Sequence, residues 1–238
     1  MQIPEADVLY EDNHLLAFNK PAGILSMGDD TGDVTMVEIA ADYLRRKYNK
    51  PGNVFVGVVH RLDRPVSGVL LFARTSKAAS RLSDQFRRDV VKKTYRAVVS
   101  GSTSARHAEL VDWLLKNHQT NVVSVVREGT PGAQRCVLKY TVVKREQNRL
   151  HLDVEPITGR SHQIRVQLAN RKLPIIGDVK YGSPQRQPGR IALHARELTI
   201  QHPTTREPLR IECPVPDDLA ASATSFQDDP NPETRGGK

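Results

Sequence analysis

The chain has 238 residues, of which 38% are hydrophobic and 26% charged, and its formal net charge is +8. This length suits one domain, or two small ones, with a substantial core. No apolar run approaches the roughly 20 residues of a membrane-spanning helix, so no such helix is expected. The N-terminal residues lack the pattern of a secretion signal and the two cysteines have no partner motif, which excludes a secreted disulfide framework and predicts the reducing cytoplasm.

The first half of the chain is predicted to alternate short strands with two helices. Residues 7–23 have the pattern of a strand pair, and residues 36–48 have the apolar spacing of a helix. Strands over 54–60 and 68–73 flank a short loop. Residues 75–88 then carry apolar side chains four positions apart, which predicts a second helix.

The second half is predicted to be richer in strands. A strand covers 92–101, and a hairpin follows with strands over 135–143 and 150–154. A helix begins at about Ser161, and residues 191–214 form a last hairpin. Together these elements predict a single α+β domain that is rich in antiparallel strands.

The charge divides the chain into a body and a tail. Residues 217–238 contain five acidic and two basic side chains, so they carry −3 and residues 1–216 carry +11. A body this basic indicates a polyanionic partner, most simply nucleic acid, although a merely basic protein would have the same charge. The apolar pattern stops after Pro216, which predicts a disordered acidic tail over 217–238.

Asp63 lies in the short loop between two predicted apolar strands, with Arg61 and Arg64 beside it. A carboxylate close to arginines keeps a low pKa and stays ionised, which suits a nucleophile or a base and does not suit a general acid. Pro65 and Gly68 would fix the shape of the loop and hold the carboxylate rigidly. A structural salt bridge at a turn would produce the same pattern.

The stretch TGRSHQIRVQL, residues 158–168, is the second candidate. Ser161 is a plausible N-cap for a helix whose first turn is basic, and helix N-termini bind phosphates readily. Arg165 follows Ile164, so it points to the edge of the apolar face and could reach Asp63. The alternative is an ordinary capped amphipathic helix with Ile164 in the core.

Tyrosine, histidine and serine side chains of the sequence are further candidates for chemistry. Tyr95 on its strand could be a stacking platform for a base, or simply a core tyrosine. His60, His162 and His194 lack carboxylate or cysteine companions at ligand spacing, which argues against a metal site. The sequence around Ser67 lacks the first glycine of a G-x-S-x-G elbow, which argues against a serine hydrolase.

Six blocks of the sequence stand out together: NKPAGI (19–24), HRLDRPVSGVLLFA (60–73), KKTYRAVVSG (92–101), EPITGRSHQIRVQLA (155–169), PIIGDVKYG (174–182) and LHARELTIQHP (193–203). In this order, and over roughly residues 8–216, they resemble the RluA family of RNA pseudouridine synthases. One departure is Val66, where a common family version has threonine.

The resemblance implies the pseudouridine synthase fold, a mixed and mostly antiparallel sheet with flanking helices and a central active-site cleft. It implies that uridines in ribosomal RNA, transfer RNA or both are isomerised to pseudouridine. The bond between C1′ and N1 breaks, the flipped base rotates, and C5 bonds to C1′. No metal, redox cofactor or nucleotide cofactor is expected, and the protein is expected to be a monomer.

The resemblance also assigns roles to seven residues. Asp63 would be the essential aspartate, either as a nucleophile at C1′ or as the base that removes a ribose proton to give a glycal. Tyr95 would be the active-site tyrosine that packs on the base and assists removal of the C5 proton. Arg165 would pair with Asp63, and Arg61 would fill the gap left by the flipped uridine. The remaining substrate-binding residues would be Arg160, His162 and Ile164.

Two other readings stay open from the sequence. A catalytically silent RNA-binding module could use the same scaffold, although Asp63, Tyr95 and Arg165 are all present. An aspartate-nucleophile hydrolase of small molecules would not need so basic a surface. Because the first strand pair begins within ten residues of the start, we expect no RNA-binding domain ahead of the catalytic one.

Overall fold

The computed structural model of the protein describes residues 6–28 and 32–220. Within them the chain forms one mixed sheet of eleven strands with three helices. The helices are α1 (Met36–Tyr48), α2 (Ser76–Arg87) and α3 (Gln163–Asn170), and a 3₁₀ turn covers Val179–Tyr181. The strands are β1 (Val8–Glu11), β2 (Leu15–Lys20), β3 (Gly57–Val58), β4 (Ser67–Ala73), β5 (Lys92–Ser100), β6 (His107–Asn117), β7 (Val122–Val126), β8 (Gln134–Glu146), β9 (Arg149–Pro156), β10 (Leu193–Gln201) and β11 (Pro208–Glu212).

The strand order is β1-β2-β4-β10-β5-β9-β8-β6-β7, with β11 on β10 and β3 on β4. All neighbouring pairs are antiparallel except β4 with β10, where His194 lies opposite Ser67. The predicted α+β class with a mostly antiparallel sheet is therefore confirmed. In the part of the chain that the structure describes, no helix is long and apolar enough to cross a membrane.

The two helices predicted in the first half are confirmed, because their signals are local. Thr35 and Glu38 form a capping box at the start of α1: each side chain accepts a hydrogen bond from the other's backbone N–H. Asn49 ends this helix in the left-handed conformation. Thr75 caps α2 in the same way as Thr35, by accepting from the Ala78 N–H.

The central strands are buried on both faces. In β2, Leu16 and Phe18 belong to the main core, which α1 also covers, whereas Leu15 and Ala17 face the second core beneath α2. Successive side chains of a strand point to opposite faces, so β2 is apolar on both. This doubly covered sheet is the rigid frame from which the loop between β3 and β4 projects.

The predicted strand over 54–60 is wrong in its length, because only Gly57 and Val58 pair with β4. The physical reason is that the His60 side chain accepts a hydrogen bond that a backbone carbonyl oxygen would accept in a longer strand. The Leu71 N–H of β4 donates to His60 Nε2 at 2.9 Å instead of continuing the ladder.

Ser161 as the N-cap of the third helix is also wrong. The helix begins at Gln163, and the capping position is His162, whose φ is 52° and whose side chain makes no capping bond. Gln163 orders this turn instead: its Oε1 accepts from the Arg160 N–H at 3.0 Å, and its Nε2 donates to the carbonyl oxygen of Val137 at 3.0 Å.

Residues 102–133 received no predicted element, yet they contain β6 and β7. The buried side of β6 includes Leu110, Asp112 and Leu114. The aspartate interrupts the apolar alternation that identifies a strand. It is tolerated there because Gln167 Nε2 and Arg171 Nη1 donate to it at 2.8 and 3.0 Å, so a contact far along the chain permits the pattern.

The first residues of the predicted tail lie against the domain. Residues 217–219 form a turn, and Leu219 is buried in the main core. The carbonyl oxygen of Leu219 is 3.4 Å from His151 Nδ1. The rest of the predicted tail, 221–238, lies outside the described residues.

Candidate active site

The loop that carries Asp63 is anchored on both sides. Ser26 Oγ donates to the carbonyl oxygen of Leu62 at 2.7 Å and accepts from its N–H at 3.0 Å. On the other side, the fully buried ammonium of Lys20 donates to the carbonyl oxygen of Arg64 at 3.1 Å. The loop is also closed on itself, because the Val66 N–H donates to the carbonyl oxygen of Asp63 at 3.0 Å. These bonds fix the backbone on which the carboxylate sits.

Lys20 has a structural role, because its ammonium group binds only backbone carbonyl oxygens among the described residues. Its Nζ also donates to the carbonyl oxygens of Pro21 at 2.9 Å and Ile24 at 2.7 Å. The three acceptors match the three protons of an ammonium group. The side chain therefore ties the turn after β2 to the loop after β3.

Gly68 allows β10 to approach this loop. Its φ is 112°, and a Cβ at this position would lie 2.2 Å from the carbonyl oxygen of Ala195. No other residue fits so close to a neighbouring backbone. The parallel contact of β4 with β10 therefore depends on this glycine.

Asp63, Arg165 and Asp178 form a chain of ion pairs. Arg165 Nη1 donates to Asp63 Oδ2 at 2.8 Å, and its Nε and Nη2 donate to the two oxygens of Asp178 at 2.7 and 2.8 Å. The side chains of Arg165 and Asp178 are only 6% and 2% exposed, whereas that of Asp63 is 30% exposed. The two carboxylates raise the pKa of Arg165 against the opposing effect of burial. A buried pair thus supports a carboxylate that is open to the cleft.

The expectation that Arg61 and Arg64 hold Asp63 is wrong. Arg64 pairs with Asp33 at 2.8 Å and donates to the carbonyl oxygen of Gly23 at 2.9 Å. Arg61 is exposed and makes no ion pair within the described part of the chain. Among the described residues, neither sequence neighbour pairs with the aspartate, and the predicted distant partner Arg165 holds it.

His162 faces the same carboxylate from the start of α3. Its Nε2 lies 3.9 Å from Asp63 Oδ2, and its Nδ1 lies 2.6 Å from Tyr181 Oη. Tyr181 Oη accepts from the Val123 N–H at 3.0 Å, so its own proton is available for His162 Nδ1. Burial lowers the pKa of His162 against the effect of Asp63, which favours the neutral ring. That ring then carries its proton on Nε2, toward Asp63.

Tyr95 of β5 lines the same cleft and is half-buried. Burial raises the pKa of its phenol, and the charge of Asp63 raises it further. The hydroxyl therefore stays protonated at neutral pH. Ile164, which is buried on α3, adds an apolar wall to the cleft.

Two histidines contact the loop: His60 is half-buried and lines the cleft, whereas His194 is fully buried. His60 stacks on Phe86 with ring centroids 4.8 Å apart, and burial lowers its pKa to about 3. His194 Nδ1 lies 2.8 Å from Ser67 Oγ, and burial lowers its pKa to about 4. Both rings are neutral at pH 7.

One cleft of about 1030 Å³ contains all seven predicted site residues. Its volume is at the upper end of the range for small-molecule sites, which leaves room for a nucleoside and its neighbours. The rim is basic. The predicted residues that line the cleft are Arg61, Asp63, Tyr95, Arg160, His162, Ile164 and Arg165, and the further cations on it are Arg64, Lys93, Lys116 and Lys180.

Three residues of this region were not singled out from the sequence. Asp178 and Tyr181 lie in the block PIIGDVKYG (174–182), but the resemblance to the family assigns them no role. Lys93 lies two positions before Tyr95 on the same strand, so the period of a strand could have placed it on the cleft side.

Comparison with known proteins gives a consistent picture. Residues 14–170 match the family model described as RNA pseudouridylate synthase. The chain is 34% identical over 220 residues to the uncharacterized RNA pseudouridine synthase YhcT of Bacillus subtilis, covering 90% of this chain and 70% of that protein. It is also 34% identical to the dual-specificity RNA pseudouridine synthase RluA of Haemophilus influenzae, covering 86% of this chain and 90% of that protein.

A solved structure supports the fold. The human RNA pseudouridylate synthase domain containing 4 superimposes with a TM-score of 0.75, covers 90% of both chains, and is 23% identical. The pseudouridine synthase fold expected from the sequence blocks is therefore confirmed.

Proposed function

The chain belongs to the RNA pseudouridylate synthase family, and we propose that it isomerises uridine in structured RNA to pseudouridine with Asp63 as its catalytic carboxylate. The observation that carries the proposal is the asymmetry of this carboxylate. Its Oδ2 is held by Arg165 at 2.8 Å, while Oδ1 has no hydrogen-bond partner within residues 6–28 and 32–220. One oxygen positions the group and the other is free to react.

The free oxygen suits either chemistry of the aspartate. As a nucleophile it would bond to ribose C1′ while the C1′–N1 bond breaks and its electron pair stays on the uracil. As a base it would take a ribose proton as the same bond breaks. As the nucleophile's product reacts, the detached uracil turns over and C5 bonds to C1′ while the bond from C1′ to the Asp63 oxygen breaks. In the route through the base, C5 bonds to C1′ as the ribose carbon takes its proton back from Asp63. In both cases C5 then loses its proton and N1 gains one. Arg165 would keep the carboxylate ionised and aimed at the sugar.

Tyr95 is proposed to pack against the uracil rather than to act as a ready base. Burial and Asp63 both raise the pKa of its phenol, so removal of the C5 proton by the phenolate is opposed at neutral pH. Ile164 would contact the other side of the base, and Arg61, exposed on the rim, would occupy the space that the flipped uridine leaves. Arg160 and His162 would bind the nucleotide.

The identity of the RNA is part of the proposal. Relatives are named ribosomal large subunit pseudouridine synthases C and D, and one is named dual-specificity. We therefore propose ribosomal RNA, transfer RNA or both as substrate, with residues 1–216 as the catalytic domain. We also propose a monomer that acts in the cytoplasm without a cofactor.

The test is tritium release from RNA labelled at uridine C5. Wild type, Asp63→Asn and the control Asp84→Asn, an exposed carboxylate of α2, are incubated separately with unmodified transfer RNA and ribosomal RNA. We expect release by wild type and the control, and none by Asp63→Asn although it folds and binds RNA. No release by wild type from either RNA, with salt-sensitive binding intact, would instead support the silent RNA-binding module.

A further inference from the structure

We propose that Lys93 and Arg160 form an anion subsite at one end of the cleft, and that it takes the backbone phosphate beside the reacting uridine. The identity of the anion as an RNA phosphodiester rests on the proposed function. The cation pair itself does not depend on it.

Lys93 is a cleft cation without a counterion. Its side chain is half-buried in the cleft, and it makes no ion pair or hydrogen bond with any residue that the structure describes. Asp89 is the acidic group that acts on it, and this group lies beyond ion-pair range. Burial lowers the pKa of Lys93, and the positive charge of Arg160 lowers it further. The ammonium group is thus partly desolvated and close to a like charge.

Arg160 brings the second positive charge from the turn before α3. Its backbone N–H donates to Gln163, but its guanidinium has no partner within the described ranges. Gly159 allows the Lys93 side chain to lie against this turn, since a Cβ at position 159 would lie 3.3 Å from Lys93 Nζ. The ammonium group therefore rests against the backbone of the turn that presents Arg160.

An anion would reverse the energetics of this pair. Lys93 is partly desolvated and Arg160 is exposed; the two like charges repel each other, and a shared anion turns that repulsion into two attractions. Arg165 in the same cleft shows the contrast, because it already has two carboxylates. A phosphodiester has one negative charge and two free oxygens, which suit one donor from each side chain.

The position of the pair fits the spacing of a nucleotide chain. Lys93 and Tyr95 are two residues apart on β5 and on the same side, so their backbones are about 7 Å apart along the strand. A base that packs against Tyr95 would thus have its own backbone within reach of Lys93. The ligand is a flanking phosphate, one nucleotide step from the base.

The first experiment measures RNA affinity against salt concentration. Wild type, Lys93→Gln, Arg160→Gln and the double variant are titrated with an unmodified transfer RNA transcript and a ribosomal RNA fragment. The control is Lys92→Gln, an exposed lysine next in sequence that faces the other side of β5. Loss of one phosphate contact should lower the slope of log affinity against log salt by about 0.7 to 0.9 and weaken binding about tenfold in the double variant.

The rate constant at saturating RNA is measured in the same samples. Restoration of the slope by Lys93→Arg, with an unchanged slope in Lys92→Gln, would support the subsite. An unchanged slope in the double variant would overturn the subsite. If the rate constant also fell while the slope stayed unchanged, Lys93 would instead be a participant in the chemistry.

A second measurement does not need RNA. In protein with ¹³Cε-labelled lysine, the Lys93 signal is assigned by its absence in Lys93→Gln, and its pKa is followed with and without inorganic phosphate. Phosphate should raise this pKa, and less so in Arg160→Gln. No response of this pKa to phosphate would refute the subsite. A response without tritium release would leave the subsite intact and remove the proposed isomerase activity.

Discussion

The substitution Asp178→Asn tests whether a buried ion pair keeps the catalytic carboxylate in place. Asp178 does not line the cleft; it accepts two of the three hydrogen bonds that Arg165 donates to carboxylates. Asparagine has one oxygen and one NH₂ group where aspartate has two oxygens. The NH₂ group cannot accept from the guanidinium, so one of the two contacts is lost and the charge of the partner disappears.

The magnitude follows from the burial of the pair. Removing one partner of a buried ion pair costs about 3–5 kcal/mol, because a charge remains without compensation. Asp63 still faces Arg165 at 2.8 Å, so we expect the lower end, about 3 kcal/mol of unfolding free energy. For a domain of this size that lowers the melting temperature by about 6–12 °C.

The effect on the reaction should appear in kcat. The guanidinium that orients Asp63 loses its support, and a displacement of the reacting group by 1 Å can reduce the rate about 100-fold. KM should change little, because Asp178 is outside the cleft. Urea unfolding gives the stability, and tritium release over a range of RNA concentrations separates kcat from KM.

The matched control is Asp218→Asn. Asp218 pairs with Arg190 at 2.8 Å, but the two side chains are 53% and 36% exposed. An exposed pair contributes at most about 1 kcal/mol. If Asp178→Asn is as stable and as active as this control, Arg165 does not need its second carboxylate and our reasoning about the support of Asp63 is wrong.

Two further predictions concern stability. Gly68→Ala should lower the unfolding free energy by more than about 2 kcal/mol in urea titrations, because its φ of 112° and the carbonyl oxygen of Ala195 leave no room for a Cβ. Gly28→Ala is the control, because Gly28 has open space around it. Equal losses of stability in the two variants would contradict the argument. Acidification should also destabilise the protein, since His60 and His194 have pKa values of about 3 and 4 in the fold and about 6.5 when unfolded. The unfolded chain then binds more protons between these values, and the unfolding free energy should fall below pH 6.5 by up to about 1.4 kcal/mol per pH unit for each ring; a flat profile from pH 7 to 5 would refute it.

Local patterns were sufficient for the helices of the first half. The capping residues Thr35 and Thr75 lie within three positions of the N–H groups that they satisfy, so the start of each helix can be read from the sequence. The third helix differs. Its first turn is ordered by Gln163 reaching Val137, a residue 26 positions earlier, and Ser161 therefore does not cap it.

The same distinction applies to the site. The block resemblance and the position of Arg165 at the edge of its helix predicted its pairing with Asp63, across 102 residues of sequence. Nothing in the spacing predicted that Arg64 would turn to Asp33, or that Asp178 would complete the support of Arg165. Charge neighbours in sequence are poor guides to charge neighbours in space, because a loop directs successive side chains apart.

The amino-acid sequence by itself determined the family, the mostly antiparallel α+β class, and seven of the residues that line the cleft. The tertiary structure decided how those residues are used: which oxygen of Asp63 is held, that Tyr181 orients His162, and that Lys93 has no carboxylate beside it. The physical reason is that composition, period and motif report short-range preferences. Ionisation and hydrogen-bond partners depend on burial and on groups that only the folded sheet brings together.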